Sequence, residues 1–187
     1  MVEAKQQPAQ QRSSDRAECD DQGHLVSLRG RTGGTFVVDA PPLSEMAGEP
    51  LGEDARSVLD YRVAVETGAT VLAAERAGEE ELGHLDQLVE RMSGADVFED
   101  YRRADVRFHI SIAEAACSPR LVSAMTEVQG QVSDLIARIP HPQEVLTRSN
   151  AQHGRLVVLL RKKKAGPAVQ LIREHIRGTE HILAGLM

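Results

Sequence analysis

FEDYRRADVRFHISIAEAAC, residues 98–117, puts Tyr101, Phe108, Ile112 and Ala116 on one side of a helix. Asp105 and His109 fall on that same side, four residues and about one turn apart. A carboxylate aimed at an apolar interior is costly unless its charge is compensated. A metal ion compensates it, and His109 offers a second ligand one turn further along. An amphipathic helix of this kind must be covered by other elements, and the flanking sequence is rich in candidates.

Apolar residues recur at helical spacing over 54–76, where Asp54 is a candidate N-cap, and over 79–92, where Leu82, Leu85, Leu88, Val89 and Met92 share a face. Ser118-Pro119 breaks the quoted helix and starts the next, which runs from 119 to about 139. Pro140-His141-Pro142 forms a loop, and helices follow over 143–163 and 167–186. The spacing thus predicts an all-α fold, an antiparallel bundle of six helices with short connections. Aromatic residues make up only 3% of the chain and Trp is absent, so Leu, Val, Ile and Ala must fill the core, which favours packed helices.

The first 53 residues differ in character. Residues 1–22 are polar and read as a disordered tail. Within 23–39, two β-prone runs, 25–28 and 35–38, flank a turn with Arg29, Arg31, Gly33 and Gly34, the pattern of a β-hairpin. Residues 40–53 carry three prolines and two glycines and read as a linker to the helical domain, 54–187. No apolar run approaches the ~20 residues of a membrane span, and the N-terminus lacks the apolar core of a secretory signal. Cys19 and Cys117 are not placed for a disulfide, so a cytoplasmic protein without membrane partners is expected. Net charge is -6, and neither half is basic, unlike a protein dominated by nucleic-acid contacts. The one dense basic run, Arg161 to Lys164, reads as a solvated helix C-terminus.

Of seven histidines, four read as non-ligands: His24 beside the hairpin, His84 in a polar step, His141 between prolines and His181 rotated away from His175. Two others face inward. His153 shares a face with Leu146, Asn150, Val157 and Leu160. His175 shares one with Ile172, Ile176, Thr179 and Leu183. Three helices therefore aim Asp105, His109, His153 and His175 at the bundle interior. That donor set suits a borderline divalent ion, Zn foremost, with Ni or Mn as alternatives.

Ordered pieces of this sequence resemble a known family. Arg62-x3-Glu66 with Leu72-Ala73-Ala74-Glu75-Arg76, then Asp105-x2-Phe108-His109, Ser149-x3-His153 and His175, is similar to the effector-binding FCD domain of FadR-type regulators in the GntR family. Six helices resemble the VanR branch. The resemblance implies that Asp105, His109, His153 and His175 hold a divalent metal against which small organic acids bind. The hairpin resembles the wing of a GntR winged helix-turn-helix, implying DNA contact through Arg29, Arg31, Gly33 and Thr35. Only 22 polar residues precede this wing, with no amphipathic helix in them, so the resemblance to the DNA reader stops there.

The function implied is a metal-dependent transcriptional regulator responding to a small carboxylate effector, acting as a homodimer on operator DNA where a reader domain is present. Arg62 is the first candidate to pair the effector carboxylate, with a structural ion pair to Glu66 as the alternative. Arg102 and Asn150 are further effector-binding candidates. A ligand-binding module that has lost DNA binding is the main rival. A metal-dependent hydrolase is disfavoured because no general base stands near the four ligands, so no catalytic residue is assigned.

Overall fold

Six helices account for the chain from residue 53 onward: α1 (Glu53–Arg76), α2 (Glu79–Ser93), α3 (Phe98–Ala115), α4 (Pro119–Ile136), α5 (Gln143–Arg161) and α6 (Ala165–Leu186). This is the expected all-α bundle. The computed structural model describes residues 52–137 and 139–186, together with the paired segments β1 (Leu25–Leu28) and β2 (Gly34–Val37). The chain divides into two units, Met1–Pro42 and Leu43–Met187. In the first unit β1 and β2 pair antiparallel, with Ser27 opposite Thr35. The second strand thus starts one residue earlier than the sequence pattern suggests. The expected tail, Arg29, Arg31, Gly33 and most of the expected linker lie outside the described residues.

In the second unit α1 is the central helix, packing against α3, α4, α5 and α6. Its inward face is unusually mixed: Leu59, Val65, Ala69 and Ala73 are buried beside Arg62, Glu66 and Thr70. The alanines let neighbouring helices approach closely, and the polar residues belong to the site described below. The main core joins Leu85 and Leu88 of α2, Phe108 and Ile112 of α3, Met125 and Val128 of α4, Leu156 and Leu160 of α5, and Ile172 and Ile176 of α6. A smaller cluster of Ala55, Leu59, Ile139 and Leu183 closes one end of α1.

Several helix ends differ from the expected ones, each for a local reason. Gly52, not Asp54, occupies the N-cap position of α1, and Glu53 and Asp54 lie in the first turn, where acidic side chains complement the helix dipole. Cys117 adopts φ 51° and Lys163 φ 53°. These left-handed residues stop α3 at Ala115 and α5 at Arg161, two residues short of the periodic pattern. The helix α6 begins at Ala165, with Pro167 inside its first turn, where its missing N–H costs nothing. At the start of α2 the Glu81 side chain accepts the Gly78 N–H at 3.0 Å, closing the turn.

Candidate metal centre

Helices α3, α5 and α6 bring Asp105, His109, His153 and His175 together in the bundle interior, all four buried. One donor nitrogen from each of the three histidines lies within 4.8 Å of the others. The Nε2 atoms of His153 and His175 are 3.4 Å apart. Asp105 Oδ1 is 3.6 Å from His153 Nε2 and 3.9 Å from His109 Nε2. Tetrahedral zinc with bonds of 2.0–2.1 Å to nitrogen separates its ligands by roughly 3.3–3.4 Å. The His153–His175 pair stands at that spacing, the three histidines form the converging group, and Asp105 adjoins it through His153 and His109 at slightly longer range. His109 Nε2 is buried with no hydrogen-bond partner among the described residues, and an unsatisfied buried nitrogen calls for a ligand or solvent. Donor set, spacing and unsatisfied nitrogen together fit a divalent cation.

The rings are held from behind. Phe108 packs edge-on against His109, ring centres 5.7 Å apart, and against His153 at 4.6 Å. Gln152 Oε1 lies 3.3 Å from His175 Nδ1, which keeps the proton on that nitrogen and leaves Nε2 toward the cluster. Glu66 Oε2 is 2.8 Å from His109 Nδ1, close enough to favour a proton there, although the contact is not aligned as a hydrogen bond. The other Glu66 oxygen accepts Arg62 Nε at 2.6 Å and Gln129 Nε2 at 2.8 Å. Sequence reasoning treated Glu66 only as a partner for Arg62 and missed Gln152 and Gln129. Glu66 was open to discovery, since it lies one turn from Arg62 on the inward face of α1. Nothing local marks the two glutamines.

The electrostatics suit a cation. Burial raises the Asp105 carboxyl, but the adjoining Arg102 guanidinium, with which it forms an ion pair, and the three histidines together outweigh burial and hold it well below the usual carboxylate range. Burial likewise opposes ionisation of Glu66, and Arg62 and His109 together overcome it. Burial lowers His153 to about 3, against the opposing pull of Asp105. Burial, reinforced by His153, also takes His175 well below its ordinary value. An ionised carboxylate beside neutral imidazoles is the protonation state that metal ligation demands.

Two members of the cluster, Asp105 and His175, line a cavity of about 660 Å³, with His109 and His153 behind them. Asp105, His175, Arg62 and Arg102 line its polar end. Arg62 is engaged on every side: Nε with Glu66, Nη1 with Thr179 at 3.4 Å, and Nη2 3.5 Å from His175. The structural ion pair and the cavity position thus hold together. Arg102 donates to Asp105 and, through Nη2, to Ser133 at 3.0 Å, while its buried Nε has no partner. Tyr101 donates to the Leu146 carbonyl at 3.2 Å. Burial, then the Asp105 charge, push its hydroxyl above the usual phenol range. Asn150 is not in this group. Its Nδ2 donates to the Val89 carbonyl at 3.1 Å and to Ser93 Oγ at 2.7 Å, tying α5 to α2 on the far side. Ser149 and Gln152 face the cavity instead. His141, expected at the surface, is half-buried and stacks on Phe98 with ring centres 3.4 Å apart and planes 8° from parallel, lining the opposite end. His181 also borders the cavity, though exposed.

Residues 57–178 match the family model of the FCD domain. The chain belongs to the FCD family. This FCD chain is 32% identical over 172 residues to a Mycobacterium gastri protein that bears the name HTH-type transcriptional regulator RmpR. The match covers 86% of the chain and 61% of that relative, so the chain spans about three-fifths of the relative's length. Its fold is similar to that of E. coli McbR/YncC, with a TM-score of 0.62 at 17% identity over 75% of this chain and 73% of the other. It is similar too to the metal-free FCD domain of TM0439, with a TM-score of 0.58 at 17% identity over 69% and 90% of the two chains. No helix among the described residues is long and apolar enough to cross a membrane.

Proposed function

We propose that this FCD domain is the sensory part of a GntR-type transcriptional regulator, one that holds a divalent metal and responds to an organic carboxylate. One observation carries the reading: three buried histidines converge beside a buried aspartate, and Asp105 and His175 of this group line the polar end of a cavity. Asp105, His109, His153 and His175 would hold the ion, with zinc the best fit to the donor set and nickel or manganese as alternatives. When bound, the ion supplies a positive charge in surroundings of low polarity, where an anion is attracted strongly.

The chain's own residues then orient the effector. Arg102, whose Nε has no partner, is the better placed of the two arginines to meet a carboxylate. Arg62, held by Glu66, acts mainly as fixed positive charge beside it. Ser149, Gln152 and Thr179 line the same end and offer hydrogen bonds to oxygen atoms. Ligand binding biases the packing of α1, α3, α5 and α6, and in a dimeric full-length regulator that bias reaches the DNA-binding domains. The glycine- and arginine-containing stretch over 23–39 would serve as the wing of such a domain, with Arg29, Arg31, Gly33 and Thr35 contacting DNA.

Metal analysis of the purified chain tests the core of this reading. We expect about one ion per chain, and chelation to lower the melting temperature, because an ion bound only to the folded state stabilises it by mass action. A metal-free wild type, or undiminished metal in the Asp105→Ala/His175→Ala double variant, would refute the site. A gel shift with promoter DNA tests the DNA arm. Retention sensitive to added effector supports regulation, and its absence favours a stand-alone ligand-binding module.

A further inference from the structure

The helices around the cavity change from polar to apolar over the same interval. On α3, Asp105 is followed upward by Arg102 and then Phe98. On α5 the order is His153, Ser149, Leu146. Helices α4 and α6 run the opposite way in sequence yet show the same order in space: Gln129, Ser133, Ile136 and His175, Thr179, Ile182. Even α1 repeats it, with Glu66, Arg62 and Leu59. In each helix the polar and apolar ends are seven residues apart, which is about 10 Å along a helix axis. Phe98, Ile136, Leu146 and Ile182 line the cavity together with Arg62, Arg102, Asp105 and His175. The result is a polar floor beneath an apolar collar. Ile139, Pro140 and Val145 extend the collar at the connection between α4 and α5.

Resting on the carboxylate reading above, we propose that the effector is an amphipathic monocarboxylate. Its carboxylate sits on the floor, and a hydrocarbon body of about six to nine carbons reaches up into the collar, whose apolar side chains stand ~10 Å from the floor. The volume, about 660 Å³, falls in the range of small-molecule sites and leaves ample room for such a body. A polyhydroxy acid or tricarboxylate would set most of its hydroxyls or extra charges against Phe98, Ile136, Leu146 and Ile182, with only His141 and His181 as imidazole partners at that end, which is unfavourable. At the rim the exposed Arg148 and Arg177 outnumber the exposed Glu174, and this net positive charge draws anions inward.

Calorimetric titration of the zinc-loaded chain with straight-chain acids from acetate to decanoate, with 3-phenylpropionate and with citrate, tests this. We expect affinity to rise about three- to fourfold per methylene, as for burial of CH₂ groups, and to level off near eight carbons, where the chain leaves the collar. Tighter binding of 3-phenylpropionate than of octanoate would identify the body as aromatic, and the reverse as aliphatic. Either supports the proposal. Leu146→Asn and Ile182→Asn should each flatten the series while leaving acetate affinity unchanged, the second variant guarding against misfolding of the first. A flat series in the wild type, or preference for citrate, overturns the amphipathic effector but leaves the metal and carboxylate reading standing. Failure of every acid to bind overturns both.

Discussion

Glu66 holds Arg62 with one oxygen and faces His109 with the other, so a single carboxylate links the positive charge beside the cavity to a proposed metal ligand. Groups that orient ligating histidines typically matter 10- to 100-fold in metal affinity. We therefore expect Glu66→Gln to weaken metal binding by roughly that factor, read by competition with a chromophoric chelator. Equal affinity in the variant would show that His109 is oriented by packing against Phe108 alone. The Glu66→Ala variant is a harsher change. It leaves the Arg62 guanidinium buried without its counter-charge, and a loss of about 3–5 kcal/mol is expected in urea unfolding. Glu66 could be placed from sequence, because Arg62 and Glu66 are one turn apart. Its contact with His109 could not, because that contact joins α1 to α3.

At the level of elements, Asn150, an expected effector contact, bonds Val89 and Ser93 instead of lining the cavity. Inward periodicity on α5 is real, since Asn150 is buried, but α5 meets the cavity on one side and α2 on the other. Asn150 lies on the α2 side and ties the two helices through Val89 and Ser93. Asn150→Ala should cost about 1–2 kcal/mol of stability and leave effector affinity unchanged. A selective loss of affinity would return Asn150 to the site. The junction of α3 and α4 offers a second test. Cys117 is held at φ 51°, a region unfavourable by about 1–2 kcal/mol for residues with a Cβ. Cys117→Gly should raise the melting midpoint, the net gain being up to about 1 kcal/mol after the added freedom of glycine in the unfolded chain. No gain would mean that the turn is not strained. Periodicity carried both helices past these ends because Cys117 and Lys163 have no sequence signature of a left-handed residue, as glycine would.

For the whole molecule, the buried charge pattern couples stability to pH. In the metal-free protein, His153 takes up a proton only near pH 3, whereas in the unfolded chain it does so near 6.5. Between those values the unfolded chain binds more protons, so acid favours unfolding. The contribution is fully present above about pH 6.5 and is lost as pH falls toward 3. His175 is shifted in the same direction. Below the ordinary carboxylate range Asp105 and Glu66, both lowered, add a loss of the same sign. Urea unfolding of chelator-treated protein at pH 7.5, 6 and 5 should therefore show falling stability, approaching about 1.4 kcal/mol per pH unit for each histidine. A level profile would contradict the burial of neutral imidazoles. Added metal should deepen the dependence, since protons and metal compete for the same nitrogens.

Sequence alone was enough for the six helices, the inward direction of Asp105, His109, His153 and His175, and the FCD family, because 3.6-residue periodicity and ordered motifs are properties of local chain geometry. The polar-to-apolar order seven residues long is also written in each helix, but it acquires meaning only when antiparallel packing aligns the helices so that all five gradients point the same way. Tertiary structure alone decided which inward-facing polar residue meets which neighbour. It sent Asn150 to α2, brought Gln152 to His175, set Glu66 against His109, and put His141 on Phe98 at the cavity end. A residue's face follows from its own helix. Its partner depends on the rotation and depth of the helix opposite, and those are fixed by packing of the core as a whole.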